Sequence, residues 1–159
     1  MNSGLVMYEE EFRLIAGICD RLTRDANAKV VFLVDKNGQL IASSGQAQNL
    51  DTTSLASLTA GNVAAMGGLA KLIGEKEFPN QFHEGERESL HMSIVGGRVV
   101  LVVIFDAKSS LGLVRLRVKK AGEELGKVFE VLAKKQAAPG AASPFAEITD
   151  DDIDNLFSE

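Results

Sequence analysis

The chain is predicted to fold as an α+β domain: a five-stranded, mainly antiparallel sheet with helices on both faces, in the order α-β-β-α-β-β-β-α. Three observations predict it. Asn37-Gly38 and Gly96-Gly97 each separate two apolar runs by two turn-forming residues, the commonest connection of an antiparallel hairpin. The runs Val30 to Val34 and Arg98 to Phe105 (RVVLVVIF) are almost wholly apolar, as strands covered on both faces are. Between the hairpins, the stretch 51–74, DTTSLASLTAGNVAAMGGLAKLIG, repeats its apolar residues at three- and four-residue steps, which is the helical period.

Taken in order, residues 5–25 predict the first helix. Tyr8, Phe12, Ile15, Cys19 and Leu22 form its apolar stripe, and Leu14 and Ile18 widen it. Glu9, Glu10 and Glu11 sit where negative charge suits the positive end of the helix dipole. Cys19 falls on the apolar side and reads as a small core filler. Residues 30–34 and 39–44 make the first hairpin. Asp51 can cap the central helix by accepting a backbone N–H of its first turn. Leu55, Leu58, Asn62, Met66, Leu69, Leu72 and Ile73 mark one side of that helix. Ala56, Ala60, Gly61, Ala64, Gly67 and Gly68 leave the opposite side nearly bare. Each interior glycine costs about 1 kcal/mol against alanine. A backbone or flat partner surface lying close by would explain the cost; tight packing inside the chain's own domain is the alternative.

Residues 75–88 read as a polar connector pinned by Phe78 and Phe82. In the strand 88–95, Leu90, Met92 and Ile94 alternate inward against His91 and Ser93 outward. Residues 98–105 are expected centrally in the sheet. Residues 111–118 are expected as the third strand of this meander, and 119–136 as the last helix. Residues 1–136 are thus one domain. Residues 137–144, AAPGAASP, have the composition of a flexible linker, and 145–159 form an acidic tail.

The charge is unevenly distributed. Of 22 acidic residues, six lie in 145–159, which carries no base, so the body holds 16 acids against 17 bases. A near-neutral body argues against general nucleic-acid binding, which needs a pronounced basic surface. No apolar run approaches the roughly 18 residues of a membrane span, and the amino terminus lacks the pattern of a secretory signal. With one cysteine there is no internal disulfide to form, and the cytoplasm is the expected compartment. Only two histidines occur, His83 and His91, neither at metal-ligand spacing from other donors on the same element. There is no phosphate-cradling glycine loop and no nucleophile elbow. An active site, a metal and a cofactor are therefore not expected.

What remains is surface. Arg115, Arg117, Lys119, Lys120 and Lys127 form either a solvated rim or a recognition patch. In the tail, Thr149 can cap a short helix on which Ile153, Leu156 and Phe157 make an apolar edge; with Phe145 and Ile148 it reads as a segment that orders when it docks in a groove. A solubilising end is the alternative.

The stretches VFLVDKNGQLI, DTTSLASLTAGNVAAMGGLAKLIGE, FPNQFHEG, RVVLVVIFD, SLGLVRLR and SPFAEITDDDIDNLFSE span nearly the whole chain. Together they resemble the roadblock/dynein light-chain family, in particular its members that partner a Ras-like GTPase in bacterial cell polarity and gliding motility. The resemblance implies a homodimer joined sheet edge to sheet edge, with two copies binding one small GTPase. It implies a GTPase-activating protein that shifts the GTPase's own catalytic residues into place without an arginine finger, concentrated at a cell pole. On that reading Ala60, Gly61, Ala64, Gly67, Gly68 and Lys71 contact the GTPase, and Phe145, Ile148, Ile153, Leu156 and Phe157 dock the tail. Arg87, Arg98, Arg115 and Arg117 are the conceivable arginine donors, none expected to be essential. A roadblock adaptor that scaffolds partners is the competing expectation, and a small-molecule sensor domain the third.

Overall fold

The computed structural model describes residues 8–137, which form α1 (Glu9–Asp25), β1 (Val30–Asp35), β2 (Leu40–Gly45), α2 (Thr52–Leu72), β3 (Asn80–His83), β4 (Ser89–Val95), β5 (Val99–Phe105) and α3 (Leu111–Ala137). The linker from 138 on and the acidic tail with its docking residues lie outside the described residues. The five strands make one sheet in the order β2-β1-β5-β4-β3, every neighbouring pair antiparallel.

Side chains alternate across a strand, and here each set meets a different helix layer. Val31, Leu33, Leu101 and Val103 pack with Ile15, Leu22, Val114, Leu125 and Leu132 of α1 and α3. Val30, Phe32, Val34, Val100 and Val102 face the other way, toward Ala56 of α2. β1 and β5 are buried throughout, as their unbroken apolar runs require.

The two turns differ in kind. Gly96 and Gly97 both have positive φ, +61° and +68°, and the Arg98 N–H donates to the Val95 carbonyl at 3.2 Å. Val95 pairs with Val99, so the connection is three residues long, one more than the sequence predicts. At the first hairpin only Gly38 has positive φ, +92°. The Gly38 N–H donates to the Asp35 carbonyl at 3.0 Å, and the Asp35 carboxylate accepts from the N–H groups of Asn37 and Gln39 at 2.9 and 3.0 Å. The result is a type I turn closed by a left-handed glycine, and the register shifts between Leu33 and Val34 to absorb the extra residue.

The largest departure from expectation lies in the second half. Residues 111–118 are not a strand; they are the first turns of α3, and the third strand of the meander is β3, inside the stretch expected as a connector. The apparent alternation of Val114, Leu116 and Val118 conceals a longer helical stripe through Leu111, Val114, Val118, Ala121, Leu125, Val128 and Leu132. Leu116, the residue the strand reading needs inside, is 62% exposed. Ser110 caps the helix, its hydroxyl accepting the Leu113 N–H at 3.2 Å. In β3, Phe82 stacks on Phe105 with ring centroids 6.2 Å apart, so that aromatic does pin the segment to the body.

Three smaller corrections follow from packing. α1 begins at Glu9, because Tyr8 is extended (φ −88°, ψ 149°), and Phe12 and Leu14 of its expected stripe are exposed. His91 and Ser93 are not outward: both are buried, because α3 covers the face of β4 opposite α2. Leu58, Leu69, Leu72 and Ile73 point away from the sheet. Cys19 is buried in the α1–α3 core, and burial, helped by the charge of Asp20, pushes its thiol up to about 12.

Candidate partner interface on the central helix

α2 starts where Asp51 fixes it. One carboxylate oxygen accepts the Ser54 N–H at 3.1 Å and the other accepts the Ser54 hydroxyl at 2.7 Å. These hydrogen bonds, the hydroxyl's first, hold the Asp51 carboxyl below its usual range. The helix then crosses the sheet on small residues, with only Ala56, Thr59 and Ala70 buried. Leu55 and Val63 are half-buried against the same core.

The bare side divides into two parts with different causes. Its N-terminal end is packed by the chain itself. A Cβ at Gly38 would stand 3.6 Å from the Ala60 Cβ, so a bulkier residue at 60 would approach the β1–β2 turn, while Ala56 is buried in the sheet core. The rest has no such explanation. A Cβ at Gly61, Gly67 or Gly68 meets nothing within 4 Å, and Gly61, Ala64, Gly68 and Lys71 are exposed. Lys71 makes no ion pair among the described residues.

Ala60, Ala64, Gly67, Gly68 and Lys71 together form one wall of an open cleft of about 350 Å³. Lys36, Phe78, Gln81 and Ile94 are among the residues that close it from the sheet side, where Lys36 pairs with Glu77 at 3.2 Å. Five of the six expected contact residues therefore share this cleft, and Gly61 lies exposed on the same helix. The cleft floor is apolar and its rim is basic. It can receive a close-approaching main chain or a flat protein surface, and Lys36, Lys71, Lys76 and Glu77 are its charged lining.

A second feature of α2 was not singled out for a partner in the sequence. Leu58, Leu69, Leu72 and Ile73 form an exposed apolar ridge, with Leu72 84% exposed and Leu58 71%. The signal was present: a helix apolar nearly all round, in a domain too small to bury it, needs cover from outside. Near its C-terminal end runs β3, an edge strand of the sheet.

The other candidates sit elsewhere. Arg87 and Arg98 are exposed in the loops on either side of β4, and Arg115 and Arg117 are on α3, across the sheet from α2. His83 is exposed, its Nε2 3.2 Å from the Gln81 side-chain oxygen. Among the described residues no three His, Cys, Asp or Glu side chains come together to hold a metal, and no helix is long and apolar enough to cross a membrane.

Comparison with known proteins supplies what geometry leaves open. Residues 14–105 match the Roadblock/LC7 domain. The chain is similar to the solved structure of Myxococcus xanthus MglB, with 80% sequence identity over 80% of this chain and 96% of that one and a TM-score of 0.77. An MglB with a tetrameric arrangement is 31% identical, covering 83% of this chain and 99% of its own, with a TM-score of 0.78. The gliding protein MglB from Thermus thermophilus is 32% identical over 82% and 99%, with a TM-score of 0.77.

Proposed function

We propose a function from one premise: the chain belongs to the Roadblock/LC7 domain family. It is a GTPase-activating regulator of a Ras-like, MglA-like small GTPase in bacterial cell polarity and gliding motility. The likeness to MglB structures supports this reading, and one observation carries it: Gly61, Gly67 and Gly68 stand open on α2, and nothing among the described residues needs them to be glycine.

The working unit is a homodimer. The exposed ridge of Leu69, Leu72 and Ile73 and the edge strand β3 favour a second copy joined along that edge, which would continue the sheet and set two α2 helices side by side. One GTPase then sits on both bare flanks, and both backbones approach its switch loops closely. The activator donates no chemistry of its own. It acts by holding the GTPase's catalytic residues in the arrangement that positions the attacking water, an entropic and electrostatic contribution.

An arginine finger is worth about 10³–10⁵ in rate. None of Arg87, Arg98, Arg115 and Arg117 lines the α2 cleft. Replacing each by alanine is therefore expected to leave stimulation within about tenfold of the parent, far short of an arginine-finger loss. Single-turnover phosphate release checks this; loss of stimulation with intact complex formation would identify a donor.

The tail is the second partner surface. Deleting 145–159 is expected to weaken GTPase binding or alter nucleotide exchange while the dimer persists. Fluorescent-nucleotide release and sedimentation read both effects. Equal affinity and exchange would leave the tail as a solubilising end.

The proposal as a whole is tested by mixing the protein with its GTP-loaded GTPase and following phosphate release. Acceleration supports an activator. Binding without acceleration makes the chain a roadblock adaptor instead.

A further inference from the structure

A second cleft, of about 630 Å³, lies not on α2 but across the sheet, between β4 and the first half of α3. His91, Ser93 and Val95 of β4 form its floor, and Arg115, Leu116 and Lys119 of α3 its outer wall. His91 is only 2% exposed, and its Nδ1 has no hydrogen-bond partner among the described residues. A buried ring nitrogen left unpaired is unfavourable unless something else reaches it.

Two other features of the wall point to what could. From Leu111 to Gly122, α3 carries Arg115, Arg117, Lys119 and Lys120 and no acid. None of these four bases makes an ion pair among the described residues, although Glu123 stands at one end of the cleft. Leu116, between the bases, is an exposed leucine on the lip. The surface thus asks for a segment both acidic and apolar.

We propose that in the free protein the chain's own tail, residues 145–159, lies in this cleft. Its six acids, with no base, complement the basic half of α3, and Ile153, Leu156 and Phe157 supply apolar groups for Leu116, Val118 and Val95 of the cleft. A carboxylate or main-chain group of the same segment reaches the His91 ring. Burial, and then the charge of Arg115, lower the proton affinity of that ring, so it meets the segment neutral and able to accept or donate. The reach is sufficient. From Ala137 back to Lys119 is about 27 Å along a helix, and the chain from 138 to 145 spans up to about 26–29 Å when extended.

No GTPase takes part in this docking or in its test, so failure here and failure of the activator reading are separate results. A spin label at Ser158→Cys reports it in the isotope-labelled full-length protein, since the buried Cys19, its thiol pushed up to about 12, stays unreacted. The amides of Asn80, His91, Ser93, Leu116 and Lys119 are expected to lose most of their intensity, while those of Gly61 and Gly68 keep theirs. Uniform loss, no loss, or loss centred on α2 would overturn the proposal. Arg115→Glu/Lys119→Glu, with unchanged thermal unfolding, is expected to restore the intensities; persistence of the loss would count against it. Loss that appears only when a spin-labelled copy is mixed with an isotope-labelled unmodified copy would place the tail on a neighbour and overturn the intramolecular assignment.

Discussion

The double variant Ala64→Arg/Gly68→Arg is expected to lose stimulated GTP hydrolysis completely while keeping its fold and its dimer. Both positions are exposed, and a Cβ at Gly68 meets nothing within 4 Å among the described residues. Glycine to arginine inside a helix favours the helix by on the order of 0.5–1 kcal/mol. Loss of function therefore cannot be assigned to unfolding of α2. Each arginine instead fills space that a partner's main chain would occupy and places a charge against its surface. The stimulated rate is expected to fall to that of the GTPase alone, with the complex absent in sedimentation. Unchanged stimulation would remove this flank from the mechanism.

A second large effect is expected at Phe32→Ala. Phe32 is fully buried on the α2 face of β1, in a small core shared with Val30, Val34, Val100, Val102 and Ala56. Truncating a buried phenylalanine destabilises by about 3–5 kcal/mol, through lost transfer energy and the cavity left behind. That is a large part of the roughly 5–15 kcal/mol available to a domain. α2 contributes only three buried residues of its own, so the surviving fold would hold this helix loosely. Urea unfolding is expected to show an earlier midpoint with an unchanged slope, and stimulation of the GTPase is expected to weaken with it. A shift below about 1 kcal/mol would mean that the α2 face is not a packed core.

Where one signal dominated, the sequence was legible. The apolar runs of β1 and β5 and the Gly96-Gly97 pair led directly to buried central strands and a tight β4–β5 hairpin, one residue longer in its turn than expected. The element order held even though one strand was misplaced. Residues 111–118 carry apolar groups that satisfy both a two-residue and a four-residue repeat over so short a span, and only the continuation to Leu132 separates them. β3 went unread because four residues, one of them half-buried and three exposed, show no alternation. His91 was placed outward for a related reason. A single strand's pattern cannot reveal that a helix from later in the chain covers its second face.

The candidate site was legible through its glycines rather than through any chemical group. Their cost in a helix demanded an explanation, and the structure divides that explanation: Ala56 packs in the sheet core and Ala60 lies against the β1–β2 turn, whereas a side chain at Gly61, Gly67 or Gly68 would meet nothing among the described residues. The outward leucines are visible as a repeat, but the repeat does not tell which side of α2 meets the sheet. The buried residues of α2 are alanine and threonine, flanked by half-buried Leu55 and Val63, and no periodicity rule anticipates that choice.

Amide hydrogen exchange along α2 tests the central claim most directly, because it reads the flank itself. With the GTP-loaded GTPase present, the amides from Ala60 to Lys71 are expected to exchange more slowly than in the free protein, most strongly at Gly67 and Gly68. Unchanged exchange through that segment, with protection appearing elsewhere on the protein, would contradict the account.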